Sequence, residues 1–150
     1  MPESSKKLKI LFVCTANACR SQMAEGWARL LKADVIEPYS AGVFAVGLSG
    51  KTVKVMAEAG VDISGQWSKT VNELKDTELD YVVTLCSHAH RLLPPFPAKT
   101  GIVHFPFDDP PSLAAYAVTE QEALAPYRRV RDEIRRFVER LPEALFEASR

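Results

Sequence analysis

Apolar positions recur along the chain in two spacings, and segments of the two kinds alternate. Four short β-branched and aromatic runs are typical of buried strands: 8–13, 35–42, 79–86 and 101–107. Other segments repeat apolar residues at helical spacing, as do Met23, Trp27, Leu30 and Leu31 within 21–32. Strands alternating with helices predict an α/β fold of three layers, α/β/α, with a four-stranded parallel sheet in the middle.

Glycine and proline refine these elements. Pro38 lies inside the second predicted strand and indicates an edge strand or a bulge. Gly60 stands where a left-handed residue ends a helix. The last amphipathic helix is predicted over 127–141, with Pro126 near its start, and the capping-box spacing at 119–122 favours a separate short helix before it.

The polar and reactive residues follow the ends of the predicted strands. Cys14 ends the first, Ser40 the second and Cys86 the third, while Asp109 and Pro110 follow the fourth. Parallel sheets bind ligands beyond the carboxyl ends of their strands. We therefore expect these residues to meet at one edge of the sheet and to form the functional site.

Length and composition narrow the class of protein. The 150 residues predict one domain over 1–150, with 19 basic and 19 acidic residues and 47% hydrophobic residues. A balanced charge argues against nucleic acid as a partner. The apolar run near the N-terminus is too short for a signal peptide or a membrane span, so we expect a cytoplasmic protein without a membrane partner. In that compartment its three cysteines indicate reactive thiols.

The segment from Cys14 to Ser21 combines a thiol, an arginine and the start of a helix. The five residues between Cys14 and Arg20 can form a loop whose backbone N–H groups converge on a tetrahedral oxyanion. Arg20 can donate to two oxygens of that anion, and the same field favours the thiolate of Cys14, the nucleophilic form. The predicted oxyanion-binding residues are Thr15, Ala16, Asn17, Ala18, Cys19, Arg20 and Ser21.

This segment resembles the phosphate loop of low-molecular-weight protein tyrosine phosphatases, and its continuation resembles the arsenate reductases built on that fold. The similarity covers nearly the whole chain. It extends through five further motifs in order: YSAG at 39–42, VDIS at 61–64, DYVVTLCSHA at 80–89, FDDP at 107–110 and RRVRDEI at 128–134.

The resemblance implies a mechanism for reducing arsenate. Cys14 attacks the arsenate held by the loop and Arg20, and Asp109 protonates the departing oxygen. Cys86 then attacks the sulfur of Cys14, which releases arsenite and leaves a disulfide between the two cysteines. No bound cofactor is implied, and an external thiol completes the cycle.

Other loop residues receive supporting roles from the same resemblance. Asn17 and Ser21 match residues that shape the loop and hydrogen-bond the nucleophile, and Cys19 matches a cysteine without a catalytic step. A glycine of the family pattern is replaced by Ala16, so the backbone there either keeps a negative φ or carries strain.

A third cysteine of one arsenate reductase type is missing, because Leu93 stands at its position. The disulfide must then be reduced directly by a partner: glutathione with glutaredoxin, another small thiol, or thioredoxin. Some family members also bind potassium near the loop. Asn17, Glu25 and Ser40 match that site, but Lys69 stands where a carboxylate is expected, so we predict no bound metal and no dependence of the rate on potassium.

Two other functions stay open from the sequence. A phosphatase would use Cys14, Arg20 and Asp109 and leave Cys86 idle, although no aromatic residue directly follows Pro110 to hold a phenyl ring. A thiol redox sensor would need only the two cysteines. Cys86, His88 and His90 alternate as in a metal site, but a fourth zinc ligand is missing, which favours histidines that tune the Cys86 thiol.

Overall fold

A four-stranded parallel sheet forms the centre of the computed structural model, which describes residues 6–97 and 99–148. Its strands are β1 (Leu8–Cys14), β2 (Ile36–Gly42), β3 (Tyr81–Thr84) and β4 (Gly101–His104). Their order across the sheet is β2-β1-β3-β4, and all three pairings are parallel. The predicted fold class is confirmed, and Pro38 lies on an edge strand, where its missing N–H is tolerated.

Helices connect and cover the strands. They are α1 (Arg20–Leu31), α2 (Gly50–Glu58), α3 (Ser87–Arg91), α4 (Pro110–Leu113), α5 (Glu120–Glu139) and α6 (Glu143–Ala148), with a 3₁₀ turn at Val71–Glu73. Gly60 follows α2 with a φ of +87°, which confirms its predicted role at a helix end. Within the described ranges, no helix is long and apolar enough to cross a membrane.

The central strand β1 supplies both faces of the core. Ile10 and Phe12 pack on one face with residues of α1, α2 and α5, including the buried Trp27. Leu11 and Val13 pack on the other face with residues of β3, α3 and the 3₁₀ turn. This alternation follows from the period of two in an extended strand, and Cys14, the last residue of β1, lies at the carboxyl end of the sheet.

The C-terminal helix differs from the sequence expectation. Residues 120–139 form one helix with Pro126 inside it, so the separate short helix is not formed. Thr119 and Glu122 make the capping box, but they begin α5 itself. The apolar stripe continues through the proline, since Leu124 and Tyr127 are both buried. Their burial outweighs the hydrogen bond that the proline removes.

Two further boundaries also differ. Leu30 is 55% exposed although it shares the helical spacing of Met23 and Trp27, whereas Leu31 packs against the core. The third strand ends at Thr84, two residues before Cys86, which instead lies at the N-terminus of α3. Cys86 still follows the carboxyl end of that strand, where the sequence expectation placed it.

Candidate active site

The loop between β1 and α1 leaves its amide groups free on one side. Backbone N–H groups that follow β2 bind its carbonyl oxygens on the other side, in the acceptor–donor pairs Cys14–Val43 at 3.2 Å, Thr15–Phe44 at 2.9 Å, Ala16–Val46 at 3.3 Å and Ala18–Ser49 at 3.0 Å. In the described part of the chain, the N–H groups of residues 15–19 have no protein acceptor. Such adjacent free N–H groups at a helix start form an anion-binding nest.

Asn17 holds the shape of this loop. It has a φ of +49°, in the left-handed region that asparagine tolerates better than most residues, and its side chain is fully buried. The side-chain oxygen accepts from the backbone N–H of Lys69 at 2.8 Å and from Gln22 at 3.0 Å, and the amide nitrogen donates to Ser21 at 2.7 Å. The left-handed residue is therefore Asn17, and Ala16 keeps a negative φ.

Gly42 lets the loop approach the end of β2. A Cβ at this position would lie 2.6 Å from the backbone nitrogen of Asn17 and 2.4 Å from the carbonyl oxygen of Phe44. Both neighbours are backbone atoms and neither can turn away. This explains the last residue of the motif at 39–42, because only glycine fits between the loop and the segment that binds its carbonyl groups.

Cys14 lies at the base of the loop with its sulfur 2.9 Å from the hydroxyl of Ser21. Because Ser21 accepts a hydrogen bond from Asn17, its own proton is available to the sulfur. Both side chains are buried, Cys14 with 2% exposure. The arrangement suits a thiolate, since the serine O–H can donate to the negative sulfur.

Arg20 begins α1 and is 7% exposed. One terminal nitrogen donates to the carbonyl oxygen of Phe107 at 3.0 Å, and the other lies 3.3 Å from the carboxylate of Asp109. Its Nε–H is buried without a partner in the described chain. A buried guanidinium N–H without an acceptor costs free energy, so Arg20 is prepared to bind an anion in the adjacent loop.

Asp109 comes from the segment that follows β4. It stands at the N-terminus of α4, with Pro110 as the first helical residue, and its second carboxylate oxygen accepts from Ser112 at 2.7 Å. Its side chain is 39% exposed, so protons can exchange with water. The structure thus brings Asp109 to Arg20, while the neighbouring Asp108 pairs with Arg129 at 3.0 Å, away from this contact.

Cys86 approaches the same loop from β3. Its sulfur lies 3.3 Å from the hydroxyl of Thr15 and accepts the N–H of Ala89 at 3.4 Å. The Thr15 hydroxyl also lies 3.3 Å from Nδ1 of His88. Leu93 occupies the position of the third cysteine of one arsenate reductase type, and its side chain packs against the second face of the core. The structure therefore brings together the four residues that the sequence predicted to be catalytic.

A buried ion pair supports the loop from below. The Lys69 ammonium lies 3.9 Å from the carboxylate of Glu25 and donates to the carbonyl oxygen of Trp67 at 3.0 Å, and Ser40 donates to the same Glu25 oxygen at 2.5 Å. Burial lowers the pKa of Lys69, and the charge of Glu25 opposes that shift. A fixed positive charge already faces the carboxylate, so these residues do not fit a potassium ion.

Cys19 shares the loop but has a different environment. It is 4% exposed, and burial raises the pKa of its thiol to about 12. At neutral pH the thiol keeps its proton and is a poor nucleophile. Across residues 6–97 and 99–148, no group of three or more histidine, cysteine or acidic side chains is arranged to hold a metal ion.

Sequence reasoning missed several contacts in this site. The closeness of Gly42 to the loop, the buried hydrogen bonds of Gln22 to Asn17, and the link between Thr15 and His88 were not predicted. Of these, only the contact of His88 was indicated by the sequence, in which Cys86, His88 and His90 occupy alternate positions. The other contacts depend on how two distant segments cross.

The chain is similar in sequence and in fold to known proteins. The model of the low molecular weight phosphotyrosine protein phosphatase family matches residues 9–149. The arsenate reductase of Halalkalibacterium halodurans is 47% identical over 128 residues, 85% of this chain and 90% of that protein. A solved arsenate reductase in its oxidized state is 30% identical with a TM-score of 0.75, over 91% of this chain and 98% of that one. The low molecular weight protein tyrosine phosphatase from T. tengcongensis is 29% identical with a TM-score of 0.70, over 92% and 99%.

Proposed function

The chain belongs to the low molecular weight phosphotyrosine protein phosphatase family, and on that premise we propose that it reduces arsenate to arsenite with Cys14 and Cys86 as its two working thiols. Family membership confirms the resemblance recognised in the sequence motifs. The roles of individual residues are inferred from the geometry of the site.

One observation carries the substrate class. The carbonyl groups of the loop are bound on one side, which leaves the N–H groups of residues 15–19 and the Nε–H of Arg20 without acceptors. A small tetrahedral oxyanion satisfies several of these donors at once. Arsenate and phosphate have this shape and charge, so phosphate should compete with arsenate for the site.

The first step forms a bond between Cys14 and arsenic. The thiolate, held by the Ser21 hydroxyl at 2.9 Å, attacks the arsenic atom, and one arsenate oxygen leaves with a proton from Asp109. The bound anion competes with Asp109 for Arg20, because both are negative and Arg20 lies between the loop and that carboxylate. Loss of this ion pair frees the carboxyl group of Asp109 to face the departing oxygen.

The second step transfers electrons to arsenic. The sulfur of Cys86 bonds to the sulfur of Cys14 while the bond from Cys14 to arsenic breaks, and the electron pair remains on arsenic as arsenite leaves. The contact of Cys86 with Thr15 at 3.3 Å supports this role, since Thr15 is the loop residue that follows Cys14.

An external thiol must then reduce the disulfide. All three cysteines of the chain are free thiols in the structure, and Leu93 supplies no further sulfur. We propose that glutathione with glutaredoxin, another small thiol or thioredoxin serves as the reductant, in the reducing environment of the cytoplasm.

Phosphate ester hydrolysis is a second candidate, since Cys14, Arg20 and Asp109 are sufficient for it. Two observations favour arsenate. Pro111 and Ser112 follow the Asp109–Pro110 pair, so no aromatic wall stands there to hold a phenyl ring. The next aromatic residue along the chain, Tyr116, is 96% exposed. Cys86 also has no task in hydrolysis.

The proposal is tested by arsenite production with two reducing systems, glutathione with glutaredoxin and thioredoxin with its reductase. We expect turnover with at least one of them, inhibition by phosphate, and none with the Cys14→Ser variant. No arsenite with either system, from a protein that still hydrolyses an aryl phosphate, would assign the chain to the phosphatases.

A further inference from the structure

One hydroxyl group links the sulfur of Cys86 to an imidazole ring. The Thr15 oxygen lies 3.3 Å from Cys86 Sγ and 3.3 Å from His88 Nδ1. Thr15 belongs to the anion-binding loop, whereas Cys86 and His88 belong to the start of α3. The contact therefore joins the segment that holds the first cysteine to the segment that carries the second.

We propose that Thr15 and His88 form a proton relay that deprotonates Cys86 as it attacks Cys14. This inference rests on the proposed role of Cys86 as the second nucleophile. The Cys86 thiol gives its proton to the Thr15 oxygen while the Thr15 hydroxyl gives its own proton to Nδ1 of His88. The sulfur–sulfur bond forms and the bond from Cys14 to arsenic breaks. Two thiols become a disulfide, and arsenic is reduced from As(V) to As(III).

The hydrogen-bonding capacity of each group fits the relay. A threonine hydroxyl has one donor and two acceptor sites, so it can accept from the thiol and donate to the ring at the same time. His88 then carries its proton on Nε2 before the transfer. It is only partly buried, so the proton gained can pass to water. The N–H of Ala89, 3.4 Å from the sulfur, supports the thiolate that remains.

His90 provides a matched control on the same helix. Its Nδ1 lies 2.8 Å from the hydroxyl of Thr84, and its ring stacks on His104 with 4.4 Å between the ring centres. It thus repeats the contact of a histidine with a threonine hydroxyl, but away from the sulfur. A general effect of losing a histidine from α3 should appear equally at His88 and His90.

The test measures the attack of Cys86 on Cys14 without arsenate. Hydrogen peroxide oxidises the Cys14 thiolate to a sulfenic acid, which then condenses with the Cys86 thiol to give the disulfide and water. Dimedone added at the same time traps the sulfenic acid. The ratio of disulfide to dimedone adduct, measured by peptide mass, reports the attack by Cys86 independently of how fast the sulfenic acid forms.

His88→Asn keeps a hydrogen-bonding side chain but cannot take up a proton, so we expect the ratio of disulfide to dimedone adduct to fall by about 10²-fold, the lower end of general-base effects. In His88→Ala the same ratio should fall similarly and recover when imidazole is added. This comparison uses one folded variant with and without imidazole. His90→Asn and His90→Ala should stay within about twofold of the unchanged protein and ignore imidazole, as surface substitutions usually do. Thr15→Ser should retain more of the ratio than Thr15→Val.

Three results would overturn the relay: a normal ratio in His88→Asn, a His88→Ala variant that imidazole does not restore, or equal losses at His88 and His90. Absence of a disulfide between Cys14 and Cys86 in the unchanged protein would also overturn it. A normal peroxide result without arsenite from arsenate would instead refute the proposed function and leave the relay standing.

Discussion

Cys14 and Cys86 follow neighbouring strands of one sheet, yet their surroundings differ. Cys14 is 2% exposed, and its sulfur is hydrogen-bonded to Ser21. Ser21 in turn accepts a hydrogen bond from the buried Asn17. Cys86 is 8% exposed and is the N-cap residue of the five-residue helix α3, where its sulfur contacts one side chain from the loop and the backbone N–H of Ala89.

The different surroundings of the two cysteines suit two different roles. The loop around Cys14 is fixed by buried hydrogen bonds before any anion binds, which suits a preorganised binding site. Cys86 precedes the short helix α3, and residues 93–97 after that helix form neither helix nor strand. Such a segment makes few internal hydrogen bonds and rearranges at low cost, which suits a nucleophile that forms a new bond to a second sulfur.

Replacing Cys86 should give the largest difference between the roles of the two cysteines. Cys86→Ser is expected to lower arsenate turnover by roughly 10³-fold or more, because the second nucleophile is lost, while hydrolysis of an aryl phosphate keeps most of its rate. The measurement is steady-state kinetics of both reactions. Cys14→Ser is the control and should remove both. Equal losses of both activities in Cys86→Ser would mean that Cys86 supports the loop itself.

Replacing Asp109 should affect only the chemistry of Cys14. Asp109→Asn keeps the shape of the side chain but cannot protonate a leaving oxygen, so both arsenate reduction and phosphate hydrolysis should fall by about 10²-fold. Disulfide formation driven by peroxide should persist. Asp108→Asn is the matched control, because Asp108 pairs with Arg129 and does not contact Arg20. Similar losses in the two variants would contradict the assignment of the acid.

The ion pair beneath the loop gives a smaller effect. Lys69→Met removes one of the two cations that face the buried carboxylate of Glu25, because Arg29 pairs with the other oxygen, and should lower the free energy of unfolding by about 1–2 kcal/mol. Urea unfolding measures this, with the exposed Lys75→Met as control.

The same ion pair predicts the response to cations. The unchanged protein should reduce arsenate at the same rate in potassium and in sodium at equal ionic strength. Activation of several fold by potassium would contradict the view that Lys69 supplies the positive charge.

Cys19 should react least with an alkylating reagent. With a pKa of about 12, its thiolate fraction near pH 8 is about 10⁻⁴. Iodoacetamide should therefore label Cys14 and leave Cys19 unlabelled in the folded protein, as read by peptide mass. The folded chain retains a proton that the unfolded chain releases above pH 9, so this thiol makes the fold less stable as the pH rises from 9 towards 12. Equal labelling of Cys14 and Cys19 would contradict the pKa.

Much of the fold and the position of the site were readable from the sequence. The alternation of strands and helices predicted the parallel sheet, because the two periodicities are local properties. The residues from Cys14 to Ser21 were found because the loop is contiguous. Cys86 and Asp109 were added through the rule that parallel strands end at one edge, and the resemblance to the arsenate reductases supplied their expected roles.

Contacts that depend on tertiary packing could not be predicted in this way. The strand pattern does not give the distance between Gly42 and Asn17, nor the contact of Thr15 with His88, because these depend on how separate loops cross. Local rules also failed where burial outweighed them. Pro126 was expected near a helix start, but packing of the residues around it keeps α5 continuous.

A single-turnover experiment tests the division of labour between Cys14 and Cys86 most directly. Reduced protein is mixed with arsenate without any other thiol, and arsenite and disulfide-linked peptides are quantified. The account predicts one arsenite per chain together with a Cys14–Cys86 disulfide. Arsenite that forms only after glutathione is added, with Cys86 still reduced, would contradict the role of Cys86 as the second nucleophile.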